Sequence, residues 1–146
     1  MKPGSFLSRL DHDRIVAAIL AAEQRSRGEI RVHVTHKKVD DPRRAAAAVF
    51  EKLGMTATAE RNGVLLFVAP ASRRFAVVGD KAIHEKCGDA FWKDVAAAME
   101  TDFRAGRYTD GIVKGVARVG EALATHFPRG AGTTDTNELS DEVSED

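Results

Sequence analysis

The chain has 146 residues, no net formal charge, 43% apolar and 30% charged side chains, which is the size and balance of one globular domain and argues against a general polyanion binder. A single cysteine, Cys87, excludes an internal disulfide, and nowhere do about 18 uncharged apolar residues run together as a membrane span requires. The zero charge conceals an asymmetry: residues 129–146 hold one Arg against six acids, net −5, whereas residues 1–128 hold 21 basic against 16 acidic side chains, net +5.

In chain order, MKPGSFLSRLDHD (1–13) has no apolar run of signal-peptide length, so a cytoplasmic protein is expected. Asp11 can cap a first helix, with Leu10 and Ile15 placed as a hydrophobic staple and Ile15, Val16, Ile19, Leu20 and Ala22 as its apolar stripe. After Ser26-Arg27-Gly28 the period switches to two. Ile30, Val32 and Val34 alternate with Glu29, Arg31 and His33, which predicts a strand with one drier face, at a sheet edge or lining a site. Asp41-Pro42 starts a second helix, buried through Ala46, Val49, Phe50 and Leu53 and stopped at Gly54.

VLLFV (64–68) and FAVVG (75–79) read as buried strands, and the short APASRR link (69–74) allows only a hairpin. If sequence neighbours pair, the first two strands are parallel and the third antiparallel. The fold class expected is α/β: a three-layer α/β/α sandwich, with a small mixed sheet flanked by helices. Asp80 can cap a short helix containing Ile83, and Trp92, Val95, Ala96, Met99 and Phe103 mark a longer one ending near Gly106. A last helix is predicted with Thr109 as cap, Tyr108 and Val113 as staple, and Ile112, Val116, Val119, Leu123 and Phe127 buried before Pro128. Gly111, Gly115 and Gly120 inside it each cost about 0.8–1 kcal/mol against Ala, so close packing is the expected compensation. The domain is therefore drawn at 1–128. Residues 129–146 read as a disordered acidic tail that the basic body would attract if it folded back.

Most catalytic motifs fail on chemistry. Cys87 is followed six positions later by Lys93, not by the Arg that a cysteine phosphatase needs to hold phosphate oxygens. No GxxxxGK[ST] loop, GxGxxG turn or GxSxG elbow occurs. His84 and Cys87 could supply two zinc ligands where a structural site wants four. The tail run 135–146 fails as an EF-hand, with Leu139 in the fifth position and Ser140 where Gly belongs. Basic pairs such as Lys37-Lys38, Arg43-Arg44 and Arg73-Arg74 lack interleaved exposed aromatics, so no nucleic-acid partner is expected.

One constellation survives. A 64–68/75–79 hairpin beside a parallel strand 30–34 brings Glu29, Glu60, Asn62 and Asp80 to one sheet edge, and carboxylates with an amide oxygen are hard ligands suited to Ca²⁺ or Mg²⁺. The competing reading makes Asp80 a helix cap, Asn62 a turn residue and the two glutamates solvated.

The order of motifs, EQRSRGEIRVHV (23–34), EKLGMTATAERNGVLLFVA (51–69), FAVVGDKAIHEKCGDAFW (75–92) and FRAGRYTDGIVKGV (103–116) into FP (127–128), resembles the TPM-domain family. NELSDEV (137–143) is similar to the acidic ending of its small single-domain bacterial members. The resemblance implies an α/β/α sandwich, and through some members divalent-metal binding, weak acid phosphatase activity and a part in assembling or repairing membrane complexes. Asn62, Gly63, Gly79 and Asp80 are the positions it carries over. The sequence departs from many members in showing no signal peptide, anchor or glycine-rich stretch after the third strand.

Two functions of different class follow. One is a divalent-metal-binding interaction or assembly module with a protein partner of undetermined identity, Asp80, Glu29, Asn62 and Glu60 holding Ca²⁺ or Mg²⁺. The alternative is a metal-dependent phosphomonoester hydrolase, with Arg61 or Lys81 neutralising the developing charge. No organic cofactor is expected, and the chain is read as a monomer.

Overall fold

The computed structural model describes residues 10–129 and 143–146. Local capping chemistry sets the helix starts. In α1 (His12–Gln24) Asp11 accepts from Arg14 N at 3.2 Å, with Leu10 and Ile15 both buried as the staple requires. In α2 (Pro42–Lys52) Asp41 accepts from Arg44 N at 3.2 Å, and Gly54 follows at φ 73°, a left-handed stop that glycine adopts without steric cost. Strand β1 (Glu29–Val34) lies between these helices in sequence.

Strands β2 (Gly63–Ala69) and β3 (Arg74–Gly79) are antiparallel, joined by a tight turn at Pro70–Ser72, while β1 pairs parallel to β2 from Glu29↔Gly63 to Val34↔Val68. Beyond β3, α3 (Lys81–Arg104) bends at Gly88, whose φ of 77° breaks the helix into the short and long segments predicted separately. Next comes α4 (Tyr108–His126), and the short strand β4 (Ser144–Glu145) completes a mixed sheet of order β3-β2-β1-β4.

Side-chain alternation assigns the layers. Ile30, Val32, Val34, Val64, Leu66 and Val68 share one core with residues of α1, α3 and α4. Leu65, Phe67, Ala69 and Ala76 share a second with Ala46 and Phe50 of α2 and with Met55. β2 is buried on both faces, which is why it reads as an unbroken apolar run. This is the α/β/α sandwich with the strand directions expected.

Three local expectations are corrected. Thr109 does not cap α4: Arg107 occupies the cap position without a side-chain bond, and Thr109 Oγ1 instead accepts from Asp11 N at 3.0 Å, tying α4 to the start of α1. Strand β1 is not simply an edge strand, because β4 pairs with its last two residues, and its polar face is not wet, since Glu29 and His33 are buried. The tail was expected to be disordered; residues 143–146 are placed against the sheet, while 130–142 lie outside the described residues.

Candidate functional site

The strand register sets where the predicted site residues lie. Glu29 begins β1 opposite Gly63, Val64 faces Gly79, and Asp80 N donates to Gly63 O at 2.8 Å, so the starts of β1 and β2 and the end of β3 meet at one end of the sheet. Arg61 lies in the left-handed region at φ 52°, a conformation costing a residue with a Cβ about 1–2 kcal/mol. Four bonds hold it there, the first from Arg61 N to Thr58 O at 3.3 Å. Arg61 O accepts from Ala82 N at 3.0 Å, and its guanidinium grips Asp80 through Nε to Oδ2 at 2.7 Å and Nη2 to Oδ1 at 2.8 Å.

Asp80 is buried, and its Oδ1 also accepts from Lys81 N at 2.7 Å. The helix-cap reading of Asp80 is therefore correct as far as it goes, and the Arg61 pair adds to it. Glu60 is not free in solvent: both its oxygens accept from Arg27, at 2.8 and 3.0 Å. Asn62, buried beside them, donates to Arg27 O at 3.2 Å and so ties the β2 loop to the lead-in of β1. Two glycines here lie against side chains that a Cβ would have to move. A Cβ on Gly79 would stand 2.4 Å from Trp92, and one on Gly28 2.5 Å from Leu123.

Tested as a divalent-cation site, these residues have the right donor types, but arginines stand where a cation would add its charge. Both oxygens of Asp80 and of Glu60 accept from guanidinium, and among the described residues no group of three or more His, Cys, Asp and Glu is close enough to hold a metal ion. Glu29 is buried at the start of β1. The His84–Cys87 pair is likewise committed elsewhere. His84 Nδ1 accepts from Trp92 Nε1 at 3.0 Å, and burial pushes the Cys87 thiol up, away from a reactive thiolate.

Several polar residues escaped the sequence reading. Buried Glu23 accepts from Ile30 N at 2.9 Å, fixing the turn from α1 into β1. Buried Asp102 meets Lys114 at 2.9 Å and Arg107 at 3.3 Å, locking the α3–α4 corner. A cleft of about 620 Å³ opens beside that corner, with Arg73, Arg74 and Arg104 around Phe75, Phe103 and Tyr108. Arg74 and Arg104 are engaged there, by Asp40 O and by Glu100. Lone charges in helical stretches carry no pattern that periodicity could detect, so only the sheet register offered a signal.

The family model described as the TPM domain matches residues 1–122. The chain belongs to the TPM-domain family. Among solved structures, the solution structure of the BA42 protein from Bizionia argentinensis is 35% identical over 94% of this chain and 96% of that one, with a TM-score of 0.84. The N-terminal domain of a protein from P. gingivalis is 23% identical over 82% of this chain and 80% of its own, with a TM-score of 0.61. The N-terminal domain of the cg2496 protein from Corynebacterium glutamicum is 19% identical over 88% and 80%, at 0.58, and these two share the fold alone. No curated protein sequence is significantly similar. Among the described residues of this TPM domain, no helix is long and apolar enough to cross a membrane.

Proposed function

We propose that this TPM domain is an interaction or assembly module whose contact region is the polar end of the sheet, with Ca²⁺ or Mg²⁺ as an exchangeable ion held by Asp80 and its own waters. The supporting observation is the asymmetry of the Arg61–Asp80 pair. The acid side chain is 5% exposed and the arginine 46%, so the base can swing into solvent while the acid stays fixed by the fold. A divalent ion arriving from solvent then competes with Arg61 for a carboxylate already in place. Because the paired base must be displaced, affinity is modest, and the ion keeps several waters. Binding would release the Arg61 guanidinium to a partner.

Calorimetry with Ca²⁺ and Mg²⁺ tests this on three proteins. Wild type should bind weakly, Arg61→Ala more tightly because the competitor is gone, and Asp80→Asn not at all. Equal binding by all three, or none by Arg61→Ala at millimolar metal, overturns the reading. If p-nitrophenyl phosphate is hydrolysed by wild type and not by Asp80→Asn, the same carboxylate serves a metal-dependent phosphatase instead.

A further inference from the structure

At the opposite end of β1 from Glu29, the four tail residues 143–146 are bound as a ligand would be. Backbone pairing is parallel, His33↔Ser144 and Val34↔Glu145, extended by His36 N donating to Asp146 O and Asp146 N to Val34 O, each at 3.3 Å. Every side chain of the segment meets a counterpart. Val143 packs on the main core. Ser144 Oγ is 2.7 Å from His33 Nδ1 and donates to Val32 O at 3.3 Å. Glu145 reaches His36 Nε2 at 2.8 Å, and Asp146 lies 3.3 Å from His33 Nε2.

The receptor is built rather than incidental. His33 is 3% exposed and stacks on Phe67 with centroids 6.0 Å apart and planes 9° from parallel, so its two ring nitrogens are fixed toward the incoming strand. Addition of an extended peptide to a sheet edge draws affinity from the backbone ladder and specificity from alternate side chains. Here the specificity is for an apolar residue, a hydroxyl and two acids in that order, offered to a surface carrying His33, His36 and Lys37. The occupant is tethered through the 13 residues 130–142, which keeps its effective concentration in the millimolar range even if each contact is weak.

We propose that the outer edge of β1 is a docking site for an extended acidic segment of a partner protein, and that the chain's own residues 143–146 occupy it and withhold it. The partner segment has the order apolar, hydroxyl, acid, acid. Binding the partner vacates the tail, so the tail sets a concentration threshold for engagement. This site is separate from the Asp80 cluster, and neither reading depends on the other.

The test is residue-resolved NMR of the full chain with a synthetic peptide of residues 137–146, NELSDEVSED, as probe. In a Val143→Asp chain, which unseats its own tail, the peptide should shift the amides of residues 32–36. Wild type should need at least ~10-fold more peptide, since the tethered tail competes. A peptide carrying Asp in place of its Val should shift neither protein. Absence of shifts in Val143→Asp, shifts confined elsewhere, or equal affinity for both proteins overturns the proposal. A concentration-dependent dimer of wild type with β1 amides still protected assigns the edge to a second copy and also overturns it. Hydrogen exchange of wild type is an independent check: His36 N–H should exchange through local opening, and exchange only by global unfolding would mean the edge is never vacated.

Discussion

Asp102 shows how one buried charge is kept. Its carboxyl is held below the usual range by the hydrogen bond and charge of Lys114, with Arg107 contributing, against an opposing effect of burial. A folded pKa below the unfolded value of about 3.9 means that the pair's stabilisation is complete above that value and is lost as pH falls through the depressed one. Acid unfolding monitored by circular dichroism should therefore lose part of its pH dependence below about pH 4 in Asp102→Asn, which should also be less stable than wild type at neutral pH. An unchanged acid profile would show that the α3–α4 corner is not held by this charge. At Asp80 the same logic of one buried acid and one half-exposed base leaves the base exchangeable, which gives this carboxylate its place in the proposed function.

Helix α4 shows how an element tolerates poor intrinsic propensity. A Cβ on Gly111 would meet Phe103 at 2.6 Å, on Gly115 the Met99 sulfur at 2.6 Å and Leu66 at 3.0 Å, and on Gly120 the Ala22 Cβ at 2.7 Å. Each glycine thus admits a neighbouring helix or the sheet, and packing offsets the propensity cost. Gly115→Leu should lower the urea-unfolding free energy by more than about 1 kcal/mol through overpacking. Gly88 is different, since nothing lies within 4 Å of a Cβ there and φ is 77°. Gly88→Ala should destabilise through backbone strain by about 1–3 kcal/mol, since ψ is 170°, or straighten α3, and thermal unfolding with NMR of the bend separates the two.

For the molecule as a whole, the docked tail changes what truncation should do. Removing residues 143–146 takes away β4, the Val143 contact and the Ser144 and Asp146 partners of His33. Burial is the largest influence on His33 and lowers its pKa, with Arg31 and Lys52 acting in the same direction and Asp146 opposing them. Truncation after Glu142 should therefore raise the His33 pKa toward the ordinary value by admitting water, although it also removes Asp146. An NMR pH titration of the imidazole in both proteins decides this; a further drop would mean that Asp146 outweighs burial. The thermal midpoint should fall only modestly, because both main cores stay intact.

Capping acids, staples, the left-handed stop at Gly54 and the two alternating periods were legible because they are local: a carboxylate beside free amides or a glycine at a stop acts within a few residues. The sheet order β3-β2-β1 followed from link lengths, and with it the meeting of Glu29, Asn62 and Asp80 at one end. What tertiary structure alone decided was the occupancy of those groups. Arg61 reaches Asp80 across 19 positions, Arg27 reaches Glu60 across 33, and Ser144 reaches His33 across 111. An arginine's side chain spans several ångströms in many directions, so its sequence neighbours do not say which acid it will meet. The tail read as structureless because four residues cannot bury enough surface alone to offset their ordering entropy. Only an edge strand already built, with His33 fixed on Phe67, makes their extended conformation favourable.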